Sequence, residues 1–278
     1  MCESMTRVKF AEELPGAGDE SWIARLLHFE RRGDVFIAPN PRSGFGNRLF
    51  GGLIAAQSLA AAGATVDPEK LPQSLHLYFV RGGEYGVDVE LEVERTRDGR
   101  SFDTRRVTAV QHGKTILEMI ASFHRPEAGA NWQPQAAPVL AFDAAVPKAP
   151  ELGFAERFDI RVTPGDDSVF AIPPFWIRTK DAIEDDPLIR ACVLTFMSDF
   201  GPVPVARPPN VAADVATGYA ASLDHAVWFH RPFVPDQWHL YDVRSLNNAD
   251  SRGLVVGSLY DEAGALVAST TQEALWRF

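Results

Sequence analysis

The chain has 278 residues, 46% of them hydrophobic and 23% charged, an ordinary globular composition with enough length for one large or two small cores. Its net charge of −10 argues against nucleic acid or an anionic membrane surface as the main partner, so an anionic ligand would need a local basic site. Two cysteines, Cys2 and Cys192, give neither a disulfide framework nor metal-ligand spacing. The first residues lack the apolar core of a secretory signal and no apolar run is expected to cross a bilayer, so the expected compartment is the cytoplasm.

In chain order, residues 1–19 read as a weakly structured lead. Trp22, Leu26 and Phe29 lie at helical spacing and predict a short amphipathic helix over 21–29, followed by a strand over 34–39. The run GGLIAAQSLAAAG predicts a small-residue helix ending at Gly63, suited to close approach by a sheet. Strands are expected at 74–80, at 87–94 on strict alternation, at 101–111 after the Asp98-Gly99 turn, and at 115–124 after His112-Gly113-Lys114. Five prolines among Ala and Gly then mark 126–150 as linker. Strand-like composition returns at 158–162 and 170–180.

Residues 188–200, LIRACVLTFMSDF, follow Asp185-Asp186-Pro187. An Asp cap with Pro in the first turn is a strong helix start, because the missing amide is unsatisfied there anyway. The helix is apolar nearly all round and is expected to be buried. Arg190 can mark its wet side. Asp199, about half a turn away, then points inward with Leu188, Cys192 and Thr195, unless it lies past the helix end and faces solvent. A carboxylate aimed into a core must be paired, hydrogen-bonded or used, and its pKa should rise.

Residues 222–277 can be laid on 74–125. SLHLYFVRG matches SLDHAVWFHRP, VELEVER matches WHLYDVR, and HGKTILEMIASFHR matches EAGALVASTTQEALWR, each with small offsets. A buried helix with hairpin-linked antiparallel strands therefore occurs twice, which makes the fold class α+β. The expected architecture is a tandem double hotdog: an N-terminal repeat over 1–125, a linker over 126–157 and a C-terminal repeat over 158–278.

FGGLIAAQSL, RDGRSFDTRRV and ASFHRPE in the first half, with DHAVWFHRP, SRG and LVASTTQE in the second, resemble the acyl-CoA thioesterase II (TesB-like) family. The resemblance covers roughly 22–278. It implies hydrolysis of fatty acyl-CoA to free fatty acid and coenzyme A by a water that an Asp, a Thr or Ser and a Gln hold and activate. Matching motifs put these on Asp199, Ser222 and Gln272, all in the second repeat. Ser222 stands where the family commonly has Thr, Leu53 where it often has Gln, and Gly82-Gly83 where it often has Arg-Pro-Gly. No cofactor or metal is implied; the implied partner is the acyl-CoA substrate, with no membrane, and the implied assembly is a homodimer or larger homo-oligomer.

The chemistry fits these residue types. Asp199 can serve as general base, Ser222 can accept from and donate to the same water, and the Gln272 amide can orient it or donate to a developing oxyanion. Read singly, Ser222 is equally a strand-start hydroxyl bonding its own backbone, and Gln272 an edge-strand side chain. Asp224, His225 and His230 invite an acid–base or metal reading, but on a strand His225 points oppositely to the other two, and a structural block with Trp228 and Phe229 packing between repeats is preferred. Arg95, Arg97, Arg100, Arg105 and Arg106 around the Asp98-Gly99 turn are solvated hairpin charge or a contact for coenzyme A phosphates. Competing functions are a hotdog enoyl-thioester hydratase, which would need an Asp–His pair at the substrate, and a non-catalytic acyl-CoA binding module.

Overall fold

The computed structural model describes residues 20–40, 48–134, 137, 140–149, 153–166, 171–209 and 219–277. The expected lead, the stretch 45–47 and the first residue of the strand expected at 170–180 lie outside them. The first half contains α1 (Trp22–Leu26), β1 (Glu30–Arg32), β2 (Val35–Ala38), α2 (Gly51–Gly63), β3 (Leu71–Phe79), β4 (Val89–Asp98), β5 (Phe102–Gln111) and β6 (Lys114–His124). The second contains β7 (Val146–Lys148), β8 (Phe158–Val162), β9 (Phe175–Thr179), α3 (Pro187–Met197), α4 (Pro202–Val205), β10 (Tyr219–Ser222), β11 (Asp224–Phe229), β12 (His239–Ala249), β13 (Arg252–Asp261) and β14 (Leu266–Arg277).

The strands form one antiparallel sheet in the order β1-β2-β4-β5-β6-β3-β11-β14-β13-β12-β9-β8-β7, with β10 paired to β14. Outward from its middle, β3-β6-β5-β4-β2 on one side answers β11-β14-β13-β12-β9 on the other. The two halves join where β3 pairs with β11, from Ser74 opposite Trp228 to Tyr78 opposite Asp224. Trp228 meets His76 edge-on across that seam, with ring centroids 4.9 Å apart, so it packs between repeats as expected. This is the tandem double hotdog, with α2 and α3 as the central helices.

The small residues of α2 admit more than a sheet. α3 runs antiparallel beside it, and two of their contacts fall at glycines. A Cβ on Gly52 would collide with the Phe196 carbonyl oxygen, and one on Gly63 would stand 2.5 Å from Cδ1 of Leu188. The helices of both repeats therefore share one core. Trp22, Phe50, Phe158 and Phe196 interlock there, with centroids 5.0 Å apart for Phe50–Phe196 and 5.2 Å for Trp22–Phe196. Trp22 and Phe50 come from the first half and the other two from the second, so each repeat completes the other's apolar burial.

The proline-rich stretch after β6 lies against the second half. Leu140 accepts a hydrogen bond from Nε1 of Trp176, Gln133 brackets β14 through Gly264 and Leu266, and β7 pairs with β8. Pro187–Val205, taken as one stretch of 19 residues, is long and apolar enough to cross a bilayer by length and composition, contrary to expectation. In the fold it is two helices broken at Ser198–Gly201, and most of it is buried inside the protein.

Candidate active site

The turn that ends α3 sets the site. The amide of Ser198 bonds the Leu194 carbonyl, its own carbonyl accepts the Tyr241 hydroxyl at 2.7 Å, and its hydroxyl lies 2.9 Å from the Thr195 carbonyl and 2.8 Å from Nε2 of His225. α3 stops at Met197, three residues short of the expected end. Asp199 therefore stands on the turn, off the stripe expected to include Leu188, Cys192 and Thr195. It is partly buried, with Oδ1 wholly enclosed and unbonded, and it faces a cleft. Arg190, on the wet side, pairs with Asp185 at 2.9 Å.

The carboxyl reaches across the repeat boundary. α2 starts after Phe50, whose side chain makes no cap, so its first-turn amides need another acceptor. The Asp199 carboxyl stands at that helix start, near enough to the Gly52 amide for it to favour the ionised form. Burial pushes the Asp199 carboxyl up to about 7, while hydrogen bonds from the Gln272 side chain and the Gly52 backbone pull it down. Glycine lets it sit close: a Cβ on Gly51 would stand 2.7 Å from Oδ2 of Asp199 and 2.9 Å from Cζ of Phe79, and one of them would have to shift.

Gln272 lies on β14 with its side chain buried, and its Nε2 donates to Oγ of Ser222 at 2.7 Å. Ser222 ends β10 on the cleft wall, pinned where Leu223 bonds Glu273 of β14 and Phe79 bonds Leu223. Because its oxygen accepts from Gln272, its own O–H stays free to donate. All three residues expected from the motifs are thus brought together, through the second repeat's helix end, β10 and β14.

Both repeats build the cleft, whose volume is about 440 Å³. Ile54, Phe79 and Ile116 from the first half and Phe200 and Leu275 from the second give it apolar walls. Arg48 and Arg81 stand exposed on its rim; Arg48 lies over the Tyr219 ring, 4.9 Å from the centroid, and Arg81 donates to the Thr115 carbonyl. Among the described residues neither guanidinium is paired with a carboxylate.

Other candidates fall elsewhere. Arg105 is buried against Thr65 and Asp98, Arg95 pairs with Asp34, and Arg106 with Glu118, so these hold the hairpin together away from the cleft. Asp224 accepts the Glu273 amide at 2.6 Å, and His230 sits exposed beside Ser269. His225 does point oppositely to them, but inward, and that direction is the site. Sequence reasoning set it aside, and the signal was its shared parity with buried Val227.

Sequence profiles add the family. Residues 38–124 match the acyl-CoA thioesterase N-terminal domain and residues 126–276 the acyl-CoA thioesterase C-terminal domain. The chain belongs to the acyl-CoA thioesterase family. It is 31% identical to acyl-CoA thioesterase 2 of Haemophilus influenzae over 92% of this chain and 97% of that one. It is 36% identical to acyl-coenzyme A thioesterase 8 of Mus musculus over 83% and 80%. Among solved structures, acyl-CoA thioesterase II TesB2 from Mycobacterium marinum superposes with a TM-score of 0.78 at 36% identity, covering 92% of this chain and 97% of that one. Thioester hydrolysis is the chemistry that comes with this membership.

Proposed function

We propose that the chain hydrolyses fatty acyl-CoA to free fatty acid and coenzyme A by direct attack of a water that Asp199 activates. The observation that carries the reading is that Asp199 and Ser222 line one apolar cleft, with Gln272 buried behind Ser222 and hydrogen-bonded to it at 2.7 Å. The acyl chain occupies the apolar walls and the thioester lies beside Asp199. Gln272 and the free hydroxyl hydrogen of Ser222 hold the water, and Asp199 takes one of its protons as the oxygen attacks the carbonyl carbon. The tetrahedral oxyanion collapses, the C–S bond breaks, and Asp199 returns the proton to the departing thiolate. A carboxyl raised toward neutrality is a stronger base than an ordinary one, and general-base help of this kind contributes about 10²- to 10⁴-fold in rate.

Coenzyme A carries phosphates, and the two rim guanidiniums, which pair with no carboxylate among the described residues, are the local basic site that a chain of net charge −10 needs for such a ligand. The sheet ends in β1 and β7 among the described residues, which supports homo-oligomerisation through its edges; a cytoplasmic location fits the cysteine content. The hydratase reading is less well supported, since the Gln272 amide lies between Asp199 and His225 and no direct Asp–His pair forms. The test is release of free thiol from purified protein and acyl-CoA of several chain lengths. Hydrolysis that disappears in Asp199→Ala and Gln272→Ala with folding intact supports the mechanism. Bound acyl-CoA with no thiol released at any chain length would leave only the binding-module reading.

A further inference from the structure

His225 is one of the large buried polar groups that the hydrolytic scheme does not use. It lies on β11 one residue before Ala226, which pairs with Thr271 of β14, and Gln272 follows Thr271, so the two side chains sit at the same end of that pairing. Both side chains are buried on the face that also carries Val227 and its partner Thr270. Nδ1 of His225 and Oε1 of Gln272 are each buried without a hydrogen-bond partner. On its far side His225 meets the Ser198 hydroxyl at 2.8 Å, immediately before Asp199 in the chain.

We infer that His225 is a positioning residue: it carries its proton on Nδ1, donates it to Oε1 of Gln272, and so fixes the amide with Nε2 toward Ser222 and Asp199. The hydrogen-bond inventory decides between tautomers. Suppose the proton were on Nε2. Ser198 would then accept from the ring and donate to the Thr195 carbonyl, which lies in reach at 2.9 Å. The bare Nδ1 would face Oε1 of Gln272, acceptor against acceptor, and turning the amide over would only move its oxygen beside the Asp199 carboxylate and leave Ser222 without its donor. With the proton on Nδ1, Ser198 donates to Nε2 in place of the Thr195 carbonyl, which gives up one contact, and Nδ1 donates to Oε1. Both Nδ1 of His225 and Oε1 of Gln272, buried and otherwise partnerless, are then satisfied, and both Nε2 hydrogens stay available to the site. Orienting an amide is a network decision, and His225 supplies the vote.

The inference rests on the proposed hydrolysis only for the consequence it predicts, not for the tautomer. Its test has two arms. In the unmodified protein, ¹⁵N spectra of the imidazole should show the proton on Nδ1; a proton on Nε2 overturns the inference whether or not the enzyme is active. In the second arm the two amide variants are compared. His225→Asn sets an amide where Nδ1 was and keeps a donor toward Gln272, whereas His225→Gln reaches Ser198 and loses that donor. His225→Asn should keep kcat near that of the unmodified protein, and His225→Gln should lower kcat on the order of 100-fold with KM unchanged, the cost of a misheld reacting group. Equal loss in both, or loss in neither, overturns it. If the unmodified protein releases no thiol, the hydrolytic reading fails, and the tautomer still stands or falls on its own spectrum.

Discussion

Gly51, the first residue of the first repeat's central helix, lies against Asp199 of the second repeat so closely that a Cβ there would stand 2.7 Å from Oδ2 of the carboxylate. That contact predicts a separation of activity from stability. Gly51→Ala places a methyl group between the carboxylate and Phe79 and forces one of them to move. In helix terms alanine is favoured over glycine by roughly 0.5–1 kcal/mol, which offsets part of the crowding. The expected variant has a melting temperature near that of the unmodified protein and a kcat lower by about 10- to 100-fold. Unchanged kcat would show that the carboxylate need not stay where it is.

Burial pushes the Asp199 carboxyl up to about 7, with two consequences of opposite sign. As a base it works only when ionised, so kcat/KM should rise with pH to a plateau, with its midpoint near 7. For stability, the folded chain holds a proton between about pH 4 and pH 7 that the unfolded chain has already released. Stability contributed by this group is therefore greatest below that window, falls as pH rises through it, and is flat above. Asp199→Asn removes the buried charge. It should be inactive, more stable than the parent at pH 8 by on the order of 1–4 kcal/mol, and equally stable near pH 4. Denaturant melts at the two pH values check this, and a variant less stable at pH 8 would contradict the burial argument.

Ser222 and Gln272 share a 2.7 Å hydrogen bond and should behave as a unit. Ser222→Ala removes both the acceptor for Gln272 and the hydroxyl donor, and the expected loss in kcat is roughly 10- to 1,000-fold. Ser222→Thr keeps the hydroxyl and should keep most of the rate. Because each side chain orients the other, the double variant Ser222→Ala with Gln272→Ala should be little worse than the poorer single. Losses that multiply would mean that the two act separately. Single-turnover rates at saturating acyl-CoA are the appropriate measurement.

What could be read from the sequence, and what could not, follows the range of the interactions. The α2 helix runs over the expected GGLIAAQSLAAAG because small residues and Gly63 act locally, and the β5 and β6 strands follow their turn residues within a residue or so. The repeat made the paired helices legible as well. Three features depend on contacts distant in sequence. α3 ends early because Tyr241 and His225 hold Ser198 from other strands. Asp199 is aimed by the helix start of the opposite repeat. The small face of α2 receives α3 as well as the sheet, and no periodicity within 51–63 distinguishes those two neighbours. His225 shows the same limit: strand alternation assigns it a face, but only the pairing of β11 with β14 brings it to the end of the ladder where Gln272 lies.

Arg48 and Arg81 offer the last prediction, since they separate recognition of the carrier from chemistry at the thioester. Both stand on the cleft rim, Arg48 over Tyr219 and close above Gly82, and neither is committed to a carboxylate among the described residues. An exposed guanidinium on a phosphate contributes modestly, so Arg48→Ala and Arg81→Ala should each raise KM for acyl-CoA by roughly 2- to 10-fold and leave kcat unchanged. An acyl-pantetheine substrate keeps the thioester and lacks the nucleotide phosphates, so its KM should be the same in both variants as in the parent. Added salt should raise KM for acyl-CoA in the parent and have little further effect in the double variant, because screening acts on the charge that the substitutions removed. Steady-state kinetics with the two substrates at low and moderate ionic strength decide the matter. A KM that rises equally for acyl-pantetheine would mean that the arginines shape the cleft and do not bind the carrier's phosphates.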